Sequence, residues 1–415
     1  MKKFIFFASC IKDMGGAQMY HRNKCVYMLE QGWVVDLVSA QKGKVYIPEL
    51  KKYDLIIPEI GFNYYLFSPS IREKIVKLLV QRVMDQHYDE ILIESSCIQE
   101  STWAEVVAER CKAKHLCFIL QEYNPIGSVI LQQFVKFKHE RHELAGIMNN
   151  SLYDMFLPFS PIGKDKSYRL PAYCNNVVED IPSELAEAIA SKDFKYVVGC
   201  LSRLDKPFIM PAIMNFLNYV KQKKDRYLFL LIGGAPEGSH FEKNIRNKFK
   251  GIDNVELIVT GYLFPVPLKL LDLCDAFLSS AGSAWVCMRT GVPTITYDGN
   301  DFKPIGILGR TTHSSLFRAE NESAIELATL LDDILEKEKY LKESAQFDLH
   351  KVDFSIHNNF LLEMSEEKKY LSFENVVPEK SERKLSAMLK LLGAERYYNL
   401  GIIKKRIFNH KTSDR

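Results

Sequence analysis

The sequence has no run of apolar residues approaching the roughly 18 that a membrane-spanning helix needs, so it lacks the signature of an integral membrane protein. It lacks a strong charge of one sign as well, and its formal net charge of +3 does not call for nucleic acid as a partner. Its nine cysteines form no Cys-x-x-Cys pair, which argues against a disulfide framework and a structural zinc site. These absences favour a globular protein of a reducing compartment, which we expect to be cytoplasmic.

Several nucleotide and metal motifs are also missing. The sequence contains no phosphate loop of the Gly-x-x-x-x-Gly-Lys-Ser/Thr type, no Gly-x-Ser-x-Gly elbow and no Gly-x-Gly-x-x-Gly loop. His139-Glu140 begins like a zinc-protease motif, but Glu143 stands where the second histidine would have to be. No Asp-x-Asp pair occurs, so the sequence predicts neither a dedicated metal site nor a cofactor.

What is present is a long chain of ordinary globular composition: 415 residues, 47% hydrophobic and 26% charged. At roughly 150 residues per domain, this length predicts two domains and an appendage. Short apolar runs alternate with amphipathic stretches along residues 1–178 and again along residues 179–350, which is typical of parallel strands covered by helices. We therefore predict an α/β fold of two facing Rossmann-like, doubly wound domains.

The alternation also assigns individual elements. The predicted strands are residues 4–8, 33–38, 53–57, 90–93, 115–120, 196–201, 227–232, 255–260, 276–279 and 294–297. The predicted helices are residues 17–31, 71–87, 102–111, 210–223, 241–250, 266–274 and 283–290. The short apolar start of the chain resembles a signal peptide but is quickly interrupted by charge, and we expect a buried first strand there.

Residues 351–415 differ in character and predict a helical, basic C-terminal extension. Residues 381–415 hold nine Lys or Arg against three Asp or Glu, and Leu385, Met388, Leu389 and Leu392 share one helix face. An apolar stripe with basic flanks can lie on an anionic membrane surface, which would make the protein peripheral at the inner face of the membrane. The same stripe can pack back on the protein, and the sequence leaves both possibilities open.

Glycines stand at three junctions between a predicted strand and a predicted helix: Gly15-Gly16, Gly233-Gly234 and Gly282. Glycine lets a ligand approach the backbone, and the N–H groups at the start of the following helix favour an anion. Each junction alone is a weak signal, because a glycine there often makes only a tight turn. Their recurrence at equivalent edges of two similar units predicts a ligand site beyond the carboxyl ends of the strands.

The third junction is the most informative of these. Ser280, Gly282 and Ser283 begin a helix whose N–H and hydroxyl groups can hold a diphosphate. Arg203, which follows a predicted strand, can add a charge-assisted fork to the phosphate oxygens, with Lys206 as a nearby point charge. The sequence thus predicts an anion pocket that works without a metal.

Five segments together carry a resemblance to a known family: residues 15–18, 198–204, 231–237, 254–262 and 291–295. In this order and spacing they are similar to the GT-B glycosyltransferases, particularly the group-1, family 4-like enzymes that build bacterial surface polysaccharides. The resemblance covers roughly residues 1–345 and implies a GT-B fold. It implies transfer of a sugar from a nucleoside diphosphate sugar to a hydroxyl of a glycan or lipid-linked acceptor. Residues 1–178 would be the acceptor domain and residues 179–350 the donor domain.

The resemblance also implies roles for single residues. Arg203 and Lys206 would stabilise the leaving diphosphate, and Glu122 would orient or deprotonate the acceptor hydroxyl. The implied donor-binding residues are Gly233, Gly234, Tyr262, Leu263, Ser280, Gly282 and Ser283. The candidate acceptor-binding residues are Gly15, Gly16, His21 and Glu94. For Glu122, His21 and Glu94 a purely structural role is the more common interpretation of such residues.

Departures from the family pattern leave two rival hypotheses. Phe208 stands where the family has a lysine, and residues 277–292 contain no acidic residue where the family has paired glutamates. Val286 or Cys287 is nearest to the second glutamate, and Asn175-Asn176 stands where the family often has an Asn-Gly hinge. The chain can therefore be a non-catalytic scaffold derived from a transferase. The third hypothesis is a nucleotide-sugar 2-epimerase, which also has two Rossmann-like domains; it needs acidic residues lining its cleft, and the acid-free residues 277–292 speak against it.

Overall fold

The computed structural model describes residues 1–120, 126, 128–147, 168–345 and 353–400. The chain forms two compact units, to which each of the following segments contributes its described residues. The first unit contains Met1–Lys12, His21–Tyr173 and Val352–Arg415, and the second contains Asp13–Tyr20 and Cys174–Lys351. The C-terminal segment that the sequence sets apart as an extension therefore belongs to the first unit. The long second segment begins at Cys174, a few residues before the expected boundary at residue 178.

The first unit is built on one parallel sheet of six strands in the order β3-β2-β1-β4-β5-β6. The strands are β1 Lys2–Ala8, β2 Val34–Ser39, β3 Leu55–Ile56, β4 Glu90–Ser95, β5 Lys114–Ile119 and β6 Leu144–Gly146. The helices are α1 Gly16–Glu30, α2 Pro69–Val83, α3 Ile98–Cys111 and α4 Val129–Glu140. All six side chains from Lys3 to Ala8 are buried, because helices and chain segments cover both faces of a parallel sheet.

The second unit repeats this plan with the order β10-β9-β8-β12-β13-β14, in which only β14 runs antiparallel to its neighbour. Its main strands are β8 Tyr196–Leu201, β9 Tyr227–Ile232, β10 Val255–Val259, β12 Ala276–Ser279, β13 Thr294–Tyr297 and β14 Pro304–Ile307. A separate two-stranded ladder pairs β7 Val178–Glu179 with β11 Val266–Pro267. The helices are α5 Glu184–Ala190, α6 Ile209–Val220, α7 Phe241–Phe249, α8 Leu268–Asp272, α9 Ala281–Arg289 and α10 Leu327–Leu331. Both sheets thus have the strand order of a Rossmann fold.

Two C-terminal helices return to the first unit: α11 Ser355–Glu363 and α12 Arg383–Leu392. Leu389 is fully buried in the core of that unit, Leu385 packs against the same core, and Ser386 donates a hydrogen bond from its hydroxyl to Leu66 O at 2.7 Å. The apolar stripe of α12 is therefore used for packing within the protein. Leu391, which lies off this stripe, is 82% exposed.

Most predicted elements exist with ends shifted by a few residues, but one is wrong in kind. Residues 266–274 do not form one helix, since they begin as the strand Val266–Pro267 and only then turn into α8. Pro267 has extended backbone angles and ends the strand, which the apolar spacing of this segment does not reveal. Among the described residues, no helix is both long enough and apolar enough to cross a membrane.

Candidate functional site

The strand order of the second sheet reverses between β8 and β12, and open α/β sheets bind ligands beyond the carboxyl ends of the strands at such a point. The hydroxyl of Ser279, at the end of β12, donates to Leu201 O at the end of β8 at 3.0 Å. The two strand ends therefore lie side by side. The residues that follow them, from Ser202 and from Ser280, share one edge of the second unit.

Arg203 lies at this edge and is held in place by Asp205. Its Nε donates to Asp205 Oδ1 and its Nη2 to Asp205 Oδ2, each at 3.0 Å, which makes a two-pronged ion pair. The side chain of Arg203 keeps 34% of its surface exposed. A guanidinium has five N–H donors in a rigid plane, so this pairing engages only one edge and leaves the Nη1 hydrogens for another partner. Asp205 thus positions a partly exposed cation and leaves part of its donors unused.

The glycine pair at the start of α1 lies beside this cation, in the part of α1 that belongs to the second unit. A Cβ at Gly15 would stand 2.9 Å from Nη1 of Arg203, so the guanidinium occupies the space that a side chain would need. A Cβ at Gly16 would stand 3.6 Å from the sulfur of Cys174. The structure therefore brings Gly15, Gly16 and Arg203 together, which the sequence alone could not establish.

The start of α9 contributes backbone donors to the same edge, but fewer than the sequence suggests. The N–H of Ala281 donates to Ser315 O at 2.7 Å, and the hydroxyl of Ser280 is directed to Ser315 O and Tyr297 O at 3.3 Å. Gly282 and Ser283 follow in the first turn, where N–H groups have no carbonyl partner within the helix. These two residues are the candidates for holding an anion.

Ala281 has an unusual backbone conformation at this helix start. Its φ is +54°, a left-handed value that alanine rarely adopts and that costs on the order of 1 kcal/mol or more. A Cβ at Gly282 would stand 3.5 Å from Asn175 Oδ1 and 3.8 Å from the sulfur of Cys174. Asn175 and Cys174 are thus part of this edge, although only Asn175 carries a sequence signal, the hinge position.

The Gly233-Gly234 junction lies at the carboxyl ends of β9 and β10. A Cβ at Gly233 would stand 1.9 Å from Ser202 O, and one at Gly234 would stand 2.6 Å from the ring of Tyr262. Both positions therefore need glycine, and Gly233 also has a φ of +155°. Tyr262 covers Gly234, whereas Leu263 packs against the apolar core of the second unit.

The departures from the family pattern have structural explanations. Phe208, at the position of the family's lysine, is 6% exposed and packs on Tyr297 with ring centroids 5.5 Å apart. An ammonium group there would be buried in the core. Lys206 is exposed, and its backbone N–H donates to Arg203 O at 3.3 Å. Lys206 is therefore close to Arg203 along the chain and is accessible.

The position of the family's second glutamate also lies in the core. Val286 is 2% exposed and Cys287 fully buried, and burial raises the pKa of the Cys287 thiol well above its usual range. Neither side chain can accept a hydrogen bond from a ribose at the surface. The polar side chains predicted to bind a ligand at the start of α9 are Ser280 and Ser283, and both are partly exposed.

The predicted acceptor residues outside the glycine loop have different surroundings. His21 is fully buried against the ring of Phe6, with centroids 4.6 Å apart, and burial lowers its pKa to about 3. Glu94 is fully buried 3.6 Å from the ammonium of Lys24. Neither side chain reaches the surface of the first unit, and a role in acceptor binding stays a prediction for both. Glu122 lies outside the described residues.

Among the described residues, no group of three or more His, Cys, Asp or Glu side chains is arranged to hold a metal ion. The acidic side chain nearest to Arg203, Asp205, is engaged by the guanidinium. The groups that this edge offers to a ligand are thus a cation, backbone N–H groups and hydroxyls.

No protein-family model matches the sequence. No curated protein matches it significantly. Solved structures do resemble it. HepE (Alr3699) of Anabaena in complex with UDP-glucose is similar over 87% of this chain and 98% of its own, with 15% identity and a TM-score of 0.55. The same protein with UDP and glucose matches over 88% of this chain and 96% of its own, with 14% identity and a TM-score of 0.55.

A glycosyltransferase from Rickettsia africae is similar to the same degree, with 14% identity, a TM-score of 0.55 and coverage of 88% of this chain and 94% of that one. Structural similarity at such low sequence identity establishes the fold and nothing finer. The chain has the GT-B fold. Both Rossmann-like units that the resemblance implied are confirmed as elements of this GT-B fold.

Proposed function

We propose that the protein is a glycosyltransferase that moves a sugar from a nucleoside diphosphate sugar to a hydroxyl of a glycan or lipid-linked acceptor. We propose further that it needs no metal ion and acts in surface polysaccharide biosynthesis. One observation carries the proposal. Arg203, Gly15 and the start of α9 lie close together at the topological switch point, where the strand order of the second sheet reverses between β8 and β12. The UDP and UDP-glucose complexes of HepE support a nucleotide-sugar donor.

The proposed chemistry follows from where charge develops. As the sugar leaves, negative charge builds on the diphosphate, and fixed donors aimed at it lower the barrier. Arg203 supplies the N–H groups that Asp205 leaves unused, and Gly282 and Ser283 supply backbone N–H groups at a helix start. These groups would do the work that a divalent cation does in metal-dependent transferases.

The missing ribose contact shapes the expected donor preference. Because Val286 and Cys287 are buried, nucleotide affinity should rest mainly on the diphosphate. UDP should therefore bind much more tightly than UMP, while different bases should change affinity less. Competition titrations with UDP, GDP, ADP and UMP measure this preference directly.

A screen of nucleoside diphosphate sugars in EDTA, read out as release of the nucleoside diphosphate, tests the proposed function. We expect turnover with at least one donor and a loss of about 10²–10³ in rate for Arg203→Ala. Arg246→Ala, an exposed arginine of the same unit that pairs with Glu242, is the matched control and should leave the rate unchanged. Strict dependence on added divalent metal would contradict the metal-free mechanism.

The scaffold hypothesis is favoured by the burial of Phe208 and Val286 where the family has charged residues. A thermal-shift screen distinguishes the scaffold from the transferase, since a bound nucleotide at 100 times its dissociation constant adds about 2.7 kcal/mol of stability. No shift with any nucleotide would support the scaffold. Exchange of the sugar C2 proton in deuterated water would instead indicate an epimerase.

Attachment to an anionic membrane is a separate proposal for the basic C-terminal region. Because the stripe of α12 is packed inside, we expect only weak, salt-sensitive binding to anionic vesicles. Equal vesicle binding by a chain truncated after about residue 380 would rule this region out.

A further inference from the structure

The first unit has a switch point of its own, between β1 and β4. These strands end at Ala8 and Ser95, and Ser9 and Ser96 follow them. The N–H of Ser96 donates to Phe7 O at 3.3 Å, so the two strand ends lie side by side. By the rule that identified the edge of the second unit, a ligand is expected at this edge as well.

Two buried polar side chains at this edge have unmet hydrogen-bonding capacity. Glu100, in the first turn of α3, is 2% exposed, and its Oε2 has no hydrogen-bond partner in the described part of the chain. The hydroxyl of Ser96, which is 1% exposed, has none there either. Buried polar groups are normally satisfied, so an unpaired carboxyl oxygen and an unpaired hydroxyl at the same edge indicate a place for a polar ligand.

The carboxyl of Glu100 can both donate and accept a hydrogen bond. Burial raises its pKa to about 8, and its own backbone N–H and the thiol of Cys97 offset this only in part. The group is therefore mostly protonated at neutral pH. A protonated carboxyl beside a serine hydroxyl matches the donors and acceptors of an alcohol.

A side chain of the C-terminal segment covers this edge. The ring of Tyr398, beyond α12, packs against Phe62 with centroids 4.8 Å apart, and its hydroxyl donates to Gly61 O at 3.5 Å. Burial raises the pKa of the Tyr398 phenol. The negative charge of the Glu100 carboxylate raises it further, by more than any other charged group does. The phenol hydroxyl thus lies in the electrostatic surroundings of Glu100.

Gly61 makes room for this tyrosine. A Cβ at Gly61 would stand 2.0 Å from the hydroxyl oxygen of Tyr398, so even alanine would push the phenol out of its seat. The phenol presents a flat apolar ring with a hydroxyl at its rim, and a pyranose presents an apolar ring face with hydroxyls at its rim. Tyr398 is therefore a chemical stand-in for a sugar ring.

We propose that the space beside Glu100 that the Tyr398 ring fills, here called the crevice, binds a pyranose ring of the acceptor, and that Tyr398 occupies this place until the acceptor displaces it. This inference rests on the proposed glycosyltransferase function. Glu100 and Ser96 supply hydrogen bonds to the sugar hydroxyls, and Phe62 supplies the apolar surface. The C-terminal segment acts as an internal competitor for the acceptor.

The thiol of Cys97, which is 6% exposed and also contributes to the pKa rise of Tyr398, reports whether the crevice is open. Alkylation of the folded, full-length chain by iodoacetamide is followed by mass spectrometry of the Cys97 peptide. We expect Tyr398→Ala and Gly61→Ala to speed this reaction about tenfold or more, because each removes the Tyr398 ring from its position in the crevice. Tyr398→Phe keeps the ring, and Asn399→Ala alters an exposed neighbour, so both should react like the unaltered protein.

Methyl glucopyranoside, methyl galactopyranoside and methyl mannopyranoside then serve as probes of the opened crevice. At least one should slow Cys97 alkylation in Tyr398→Ala, and adding Glu100→Leu should weaken that protection about tenfold by removing its hydrogen bonds. Unchanged alkylation in both Tyr398→Ala and Gly61→Ala would overturn the closure. Fast alkylation that no pyranoside slows would overturn the assignment to a sugar.

These outcomes are separate from those of the proposed function. The alkylation assay needs no nucleotide, whereas donor turnover depends on Arg203 in the other unit. Pyranoside protection without donor turnover would leave a sugar-binding crevice and remove the transferase. Donor turnover without pyranoside protection would leave the transferase and remove this acceptor site.

Discussion

The two units share one strand order but bury different kinds of side chains. Among its described residues, the second unit buries one side chain of the Lys, Arg, His, Asp or Glu type, Asp298. The first unit buries Lys3, His21, Lys24, Asp36, Glu94, Glu100, Glu105, His115, Lys138, Glu143 and His357. A Rossmann-like unit can therefore be built around an almost apolar core or around ionic networks.

The largest of these networks centres on Glu105 of α3. Its Oε2 accepts from His115 Nδ1 at 2.7 Å and from Lys138 Nζ at 3.0 Å, and its Oε1 accepts from the N–H of Leu371 at 3.0 Å. Lys138 and His115 hold the pKa of Glu105 down at about 2 against the effect of burial. The network thus ties the C-terminal segment to the first unit.

Breaking this network should produce the largest effect on stability. Glu105→Ala leaves the buried His115 without its carboxylate and the buried Lys138 with Glu143 alone, and we expect a loss of about 3–5 kcal/mol in the free energy of unfolding of the first unit. Urea unfolding measures the loss. Asp225→Ala, which breaks the exposed pair with Lys195 in the second unit, should cost less than about 1 kcal/mol. Equal effects of the two substitutions would mean that the units do not differ in this respect.

A pair of leucines tests whether α12 is part of the first core. Leu389→Ala removes a fully buried side chain and should lower stability by about 2–5 kcal/mol. Leu391→Ala, two positions away and 82% exposed, should change it by no more than about 0.5 kcal/mol. Thermal unfolding of the two variants provides the comparison. Equal losses of stability in the two variants would mean that α12 is not part of the first unit's core.

Glu100→Gln should stabilise the first unit in a pH-dependent way. The pKa of Glu100 is about 8 when folded and near 4.5 when unfolded, so ionisation increasingly favours the unfolded chain as the pH rises from 4.5 to 8. The glutamine variant escapes this penalty, and we expect its gain to be on the order of 3–4 kcal/mol larger at pH 8 than at pH 5. Chemical denaturation at both pH values measures the gain. A gain that does not change with pH would show that Glu100 titrates normally.

Acid should weaken the first unit before the second. Burial lowers the pKa of His21 and of His357 to about 3, so both bind protons more readily when unfolded. Stability is therefore lost as the pH falls from about 6.5 towards 3, by about 1–2 kcal/mol per histidine at pH 5. Hydrogen exchange at pH 7 and pH 5 compares the units. Faster opening of β9 than of β1 at pH 5 would contradict this order.

The sequence predicts the two sheets well because each strand is a continuous apolar run, as in residues 227–232, between recognisable helices. The sequence also predicts Arg203 and the glycines at residues 15–16, 233–234 and 282 as candidate site residues. Each follows a predicted strand, and the carboxyl ends of parallel strands lie at one edge of the sheet regardless of loop conformation. The role of Asp205 requires knowing how the Arg203 side chain is oriented, and spacing does not give that orientation.

Contacts between distant parts of the chain explain what the sequence does not reveal. The carbonyl of Ser315 engages the N–H of Ala281, and Tyr398 covers Gly61 from more than 300 positions away. Glu100 has no motif around it, and only its burial in the first turn of α3 distinguishes it from a surface glutamate. Neither feature has a periodicity or spacing that a reading of the sequence could detect.

Hydrogen exchange with and without UDP, in the presence of EDTA, tests the central claim most directly. The account predicts slowed exchange at residues 202–206, 233–234 and 281–283, and loss of this protection in Arg203→Ala. Exchange at α12 should not change. Protection that is confined to the first unit, or that persists without the Arg203 guanidinium, would contradict a diphosphate site at the edge of the second sheet.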